Sequence, residues 1–133
     1  MLMMLSSIFS YAQQPQPKFD PAKFEADLQQ YITTEAGLCA SESQRFFPVY
    51  KEMRTKQKAL FNQMRRYRKA ELNSEKACEE AIKLQDRLDV EMKDLQQAYH
   101  QKFLKILPAS KVLKVIKAEE RFHRQAFKRA AKH

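Results

Sequence analysis

The sequence has almost no glycine: Gly37 is the only one in 133 residues. It has no tryptophan, two cysteines and five prolines. A β-sandwich or an α/β fold needs frequent turns or glycine-rich loops, and one glycine cannot supply them. The same scarcity removes any glycine-rich loop that would cradle a phosphate. No GxSxG or HExxH motif is present either. No catalytic constellation is visible, so no enzyme is expected and no cofactor is called for. The length fits one domain with a modest core.

What is abundant is Ala, Leu, Lys, Glu, Gln and Arg, the residues that favour helices. The expected class is therefore all-α, with few breakers and long helices. The net charge of +9 implies an anionic partner: nucleic acid, a membrane surface or an acidic protein.

Residues 1–12 read as the remnant of a signal peptide. Met1 to Ile8 is mostly apolar, and Ser10-Tyr11-Ala12 has small residues at both ends, as cleavage sites do, although a basic n-region is missing. The run is too short to span a membrane. Residues 13–19, with Gln13-Gln14-Pro15-Gln16-Pro17, form a flexible spacer, and a single helical domain is expected over 20–133. An exported chain then begins near Gln13.

Asp20-Pro21 opens the first helix as N-cap and first helical residue. Phe24, Leu28, Tyr31 and Ile32 give it an apolar stripe, and Gly37 sits where a left-handed C-cap is wanted. Ser41 with Gln44 forms a capping box for a second helix. Pro48 then either lies in the first turn of a helix starting near Phe47 or bends it. Tyr50, Met53, Leu60, Phe61, Met64 and Tyr67 hold the apolar face, and the helix is expected to end near Ala70. Ser74 caps the third helix, whose stripe is Ala77, Ala81, Leu84, Leu88, Met92, Leu95, Tyr99, Phe103 and Ile106. Pro108 ends or kinks it. A fourth helix starts at Ala109 or Ser110, with Val112, Val115, Ile116, Phe122, Ala126 and Phe127 inside.

The two middle helices span about 45 Å each at the helical rise, and a short turn joins them into an antiparallel hairpin. The expected architecture is four helices: an extended hairpin with shorter flanking helices. Such stripes exceed what one chain covers, so a cradle-like homodimer is expected.

Charge is segregated. The second helix carries Lys51, Arg54, Lys56, Lys58, Arg65, Arg66, Arg68 and Lys69 against Glu52, and the C-terminal region is basic again. The third helix is acidic over Glu75–Asp94, so its acids partly neutralise the second helix's bases along the hairpin. What remains is a basic surface, with Arg54, Lys58, Arg65, Arg66 and Arg68 beside Phe61 and Met64 as the candidate partner-binding set. Met and aromatic side chains first of all build core, but they also make adaptable binding surfaces.

Glu119, Glu120 and His123 lie within one turn and offer a metal too few ligands, so no metal site is assigned. Cys39 and Cys78 should lie about 40 Å apart by the rise per residue. A disulfide needs Cα atoms within about 7 Å. Each is therefore free and buried, or they pair between chains.

Leu38-Cys39-Ala40-Ser41-Glu42, followed by Phe46-Phe47-Pro48-Val49-Tyr50-Lys51-Glu52, resembles the first motif of the Spy/CpxP-like LTxxQ family of exported helical proteins. In one branch that motif reads LTxxE and then FxPxYxE. Leu107-Pro108-Ala109-Ser110-Lys111 with Ala118-Glu119-Glu120-Arg121-Phe122 resembles its second copy. The resemblance covers about Leu38 to Phe127 and rests on Leu38, Glu42, Phe46, Pro48, Tyr50, Glu52, Leu107, Glu119 and Phe122. Cys39 and Pro108 stand where the motif has Thr, and Glu42 and Lys111 where it has Gln. The resemblance implies a cradle-shaped dimer with a basic concave face in a Gram-negative periplasm. Members act as ATP-independent chaperones, as inhibitors bound to sensor kinases, or as metal-responsive sensors. Metal-binding relatives use histidine-rich or acidic clusters, which this chain lacks.

The expected function is thus a non-enzymatic periplasmic stress protein that binds unfolded or partner proteins. The alternative is a regulator or sensor of an envelope signalling system, metal-responsive or linked to a sensor kinase or anti-sigma factor. A second alternative is a basic nucleic-acid-binding helical protein, which needs a cytoplasmic location that the N-terminus speaks against.

Overall fold

Among the described residues four helices form, because each apolar stripe is bounded by its own start and stop signals. The computed structural model describes residues 18–69 and 71–132. The expected signal segment over 1–12, most of the spacer and His133 lie outside the described residues. The helices are α1 (Pro21–Ala36), α2 (Ala40–Arg68), α3 (Glu75–Leu104) and α4 (Ala109–Ala131).

Local chemistry explains the boundaries. The Asp20 carboxylate accepts the N–H groups of Ala22 and Lys23 at 3.1 and 3.2 Å, and Pro21 takes the first helical position. Gly37 adopts φ 65°, and Leu38 N–H donates to the Thr33 carbonyl at 3.0 Å, which closes α1. The Ser74 hydroxyl accepts Ala77 N–H at 3.1 Å and opens α3. Helix α3 stops at Leu104, before Pro108 is reached, and Pro108 itself is the N-cap of α4.

The start of α2 differs from the sequence expectation. The helix begins at Ala40, and its cap is Cys39 with Glu42, not Ser41 with Gln44. The Glu42 carboxylate accepts Cys39 N–H at 2.9 Å. Pro48 therefore sits inside the helix. Gln44 and Pro48 are both exposed, so the carbonyl that proline leaves without a helical donor is next to water. Phe46, Phe47 and Tyr50 are buried around it. Their burial offsets the cost of about 3 kcal/mol for an interior proline.

Helix α2 packs on α3 and α1 packs on α4, with α4 also touching α3. The core lies where all four meet. Leu28, Ile32, Phe46, Tyr50, Met53, Tyr99, Phe103, Val112, Val115 and Phe122 belong to it. The far half of the hairpin has only a two-helix interior, in which Met64, Leu88 and Met92 are buried.

The similar strings Leu38–Glu52 and Leu107–Phe122 lie where the halves meet. Leu38 and Leu107 are equivalent positions, and both are buried in the core. Lys111 Nζ donates to the Glu42 carboxylate at 2.6 Å, and Tyr50 Oη donates to the Glu119 carboxylate. Each pair is separated by 69 residues, the offset between Leu38 and Leu107. Equivalent positions that touch each other mark an approximate two-fold relation between α1–α2 and α3–α4. The matching contacts of α1 with α4 and of α2 with α3 follow from it.

The charges pair differently from expectation. Among the described residues no ion pair joins α2 to α3. Instead α3 compensates itself, through Lys83–Glu79 at 3.1 Å and Arg87–Glu91 at 3.7 Å. The bases of α2 turn to α1, where Glu25 takes Arg54 and Lys58.

Cys39 and Cys78 are both free, Cys39 exposed and Cys78 partly buried. The expectation of buried thiols fails at Cys39 because an N-cap residue lies outside the helix's apolar face.

Candidate partner-binding groove

The hairpin runs past the shorter flanking helices and leaves a groove along one side of α2. Two adjoining clefts make it up. One, of about 660 Å³, lies between α2, α3 and α4 and includes Arg54, Gln57, Phe61, His123, Arg124 and Phe127 in its walls. The other, of about 480 Å³, lies between the start of α1 and α2, with Phe19, Phe24, Glu25, Lys58 and Arg65 in its walls. Arg54 and Phe61 line both.

Three phenyl rings open onto this groove. Phe19 is 72% exposed, Phe61 47% and Phe127 76%. Exposed apolar groups gathered in one place mark contact sites on a soluble protein. The sequence put Phe61 and Phe127 on core stripes and Phe19 in the spacer. Phe61 turns out because no flanking helix reaches it there. Phe127 lies in the last turns of α4, beyond the core.

Of the proposed partner-binding residues, Arg54, Lys58, Phe61 and Arg65 meet at the groove. Arg65 and Arg66 also edge a smaller hollow with Asn62 and Lys69. Arg68 is exposed at the end of α2. Met64 faces the hairpin interior at 5% exposure and offers no surface. Arg124 and Lys128 complete the basic rim; sequence reasoning counted them in the basic C-terminal region and did not assign them to partner binding. Their signal was present in the helical period of α4, which puts them opposite the apolar stripe.

Beneath the rim lies a polar network. Arg54 donates through Nη2 and Nε to the two Glu25 oxygens at 2.7 and 3.3 Å, and through Nη1 to Gln57 Oε1 at 3.5 Å. Arg54 is thus held by α1 more than it is offered to a partner. Tyr50 Oη engages Glu119 a turn away from His123. Glu119 is therefore occupied by α2, and among the described residues no three His, Cys, Asp or Glu side chains gather as a metal would require.

The titrating groups respond to this network. Burial pushes the His123 imidazole below its ordinary value, outweighing the pull of Glu119. Burial raises Glu25, but hydrogen bonds and charge from Arg54 and Lys58 outweigh it and hold the carboxyl low. The hydrogen bond from Lys111, with the Cys39 N–H, brings Glu42 down to about 2. All three shifts act in one direction. Unfolded histidine takes up a proton near pH 6.5 while folded His123 resists it, so stability falls as pH drops from there. The depressed carboxylates stabilise above their ordinary value of 4.5, and that contribution is lost as pH falls toward 2. Urea midpoints should therefore decline on acidification from pH 7 to 5, and decline again below pH 4.5. His123→Gln should flatten the first decline only. A midpoint that rises between pH 7 and 5 contradicts the assignment.

No helix among the described residues is long and apolar enough to cross a membrane. No protein-family model matches the chain, and neither does any curated protein or any solved structure.

Proposed function

We propose that the chain is a non-enzymatic protein of the periplasm that binds unfolded or partner proteins on a basic helical cradle, and that it works as a homodimer. The observation that carries this reading is the gathering of Phe19, Phe61 and Phe127 around one groove. Lys58, Arg65, Arg124 and Lys128 stand beside these rings with few acids left free. Such a surface draws in acidic, flexible chains by long-range attraction, and the rings then hold apolar side chains loosely. Arg66 and Arg68 extend the attraction along α2. Loose holding suits clients of varied sequence, because no deep pocket dictates shape. The resemblance of Leu38–Glu52 and Leu107–Phe122 to the LTxxQ motifs points the same way.

An aggregation assay with the purified protein tests this. At an equimolar ratio in low salt the protein should suppress aggregation of a chemically unfolded client, and Phe19→Ser/Phe61→Ser/Phe127→Ser should lose most of that protection. Light scattering on the same samples should find a dimer. No protection by the wild type contradicts the reading. Capture of one envelope signalling protein, with no protection of unfolded chains, favours the regulatory alternative.

A further inference from the structure

Along the outer side of α4, Lys114, Lys117, Arg121, Arg124 and Lys128 follow one another at intervals of three and four residues, and all five are exposed. That spacing places them in one row about 21 Å long. Among the described residues only Arg121 has an ion-pair partner, Glu35 at 3.5 Å. Like charges at these intervals repel one another within a helix. Helix α3 alternates sign instead, so that Lys83 meets Glu79 and Arg87 meets Glu91. Glu120 is the one exposed acid within the row and leaves it strongly net positive, so folding gains little from the row, whereas an external anionic surface would be bound by it.

Two apolar side chains border the same outward arc. Leu113 is 52% exposed near the start of the row and Phe127 is 76% exposed near its end. This pairing narrows the partner. A nucleic-acid backbone offers phosphates to the cations but nothing to Leu113. An acidic peptide needs a concavity, and the outer side of a helix is a ridge. An anionic bilayer presents both chemistries, headgroups to the lysines and arginines and the acyl boundary to the apolar side chains. With no described helix apolar enough to cross the membrane, the contact is in the plane of the surface.

We propose that the outer face of α4 docks on an anionic lipid surface, through its row of cations and with Leu113 and Phe127 entering the headgroup layer. This surface borders the groove at its C-terminal end, where Arg124, Phe127 and Lys128 also line the first cleft, while Lys114, Lys117 and Leu113 line neither cleft. The test is flotation of the full chain with vesicles of phosphatidylcholine and phosphatidylglycerol in equal parts, against vesicles of phosphatidylcholine alone. The wild type should bind the mixed vesicles in low salt and the neutral ones far less. Lys114→Glu/Lys117→Glu should weaken binding to the mixed vesicles by more than roughly tenfold. Leu113→Ser should weaken it most in high salt, where the charge attraction is screened. Circular dichroism of both variants should match the wild type, since the altered side chains are exposed. Equal binding to neutral vesicles overturns the proposal. So does a double variant that binds as the wild type does, or duplex DNA bound as tightly as the mixed vesicles with Leu113→Ser having no effect. Any of these results leaves client protection by the groove untouched.

Discussion

Replacing Phe46 by alanine is expected to lower folding stability by about 3–5 kcal/mol. The side chain is fully buried at the base of the hairpin. Its ring lies 4.8 Å from Phe103, 5.1 Å from Phe47 and 5.5 Å from Tyr50, centroid to centroid. These rings join α2 to α3 where α1 and α4 close over them. Truncation removes the apolar contact and leaves a void that the neighbours cannot fill. The start of α2 is fixed by Glu42–Lys111 and the next turns by Tyr50–Glu119, so the helix cannot slide inward. Urea unfolding measures the effect directly. Phe127→Ala provides the contrast, because the same truncation at an exposed site should change stability by less than about 0.5 kcal/mol. Equal effects at the two positions would mean that the core has been misplaced.

Arg54→Met is expected to lower stability by about 1–3 kcal/mol. The loss is mostly a penalty at Glu25. The Arg54 and Glu25 side chains are 12% and 20% exposed, so the pair is largely taken out of water. Methionine fills much of the arginine's volume but leaves the carboxylate with Lys58 alone, at 3.4 Å. Fully buried pairs lose more on such a change, and the residual exposure here reduces the penalty. Glu25→Gln made in the same chain should recover part of the loss, because the uncompensated charge is then gone. A double variant whose loss equals the sum of the two single losses would show that the residues do not act as a pair.

Much of this architecture was legible from spacing. The apolar stripes of α1 and α3, the Asp20 and Ser74 caps and the Gly37 stop are local features, and local chemistry decides them. The start of α2 was not legible in the same way. Proline argues against a helix interior on its own, and only the tertiary burial of Phe46, Phe47 and Tyr50 overrides it. The strings Leu38–Glu52 and Leu107–Phe122 were visible as similar to each other. That they touch each other, Glu42 to Lys111 and Tyr50 to Glu119, depends on how the two halves pack, and one string alone carries no sign of it.

The groove was legible in part. Lys58, Phe61 and Arg65 stand out on a basic and aromatic helix. Helical period alone cannot tell which members of a stripe a neighbouring helix reaches. Met64 and Phe61 sit on the same predicted face, yet one is covered by the hairpin partner and the other is left open. Phe19 and Phe127 belong to the ends of helices, where the periodic pattern continues after its packing partners have stopped. The charge expectation failed for a related reason. Sequence totals suggested that α3 would neutralise α2, but intrahelical spacing gives the acids of α3 nearer partners.

The central claim is that the three open phenyl rings and their basic rim hold unfolded chains. A fluorescence anisotropy titration of a labelled, permanently unfolded polypeptide tests it most directly. The wild type should bind in low salt with an affinity that weakens as salt is added, and Phe19→Ser/Phe61→Ser/Phe127→Ser should weaken binding by more than about tenfold while keeping the helical fold. Binding by the triple variant equal to that of the wild type would contradict the account.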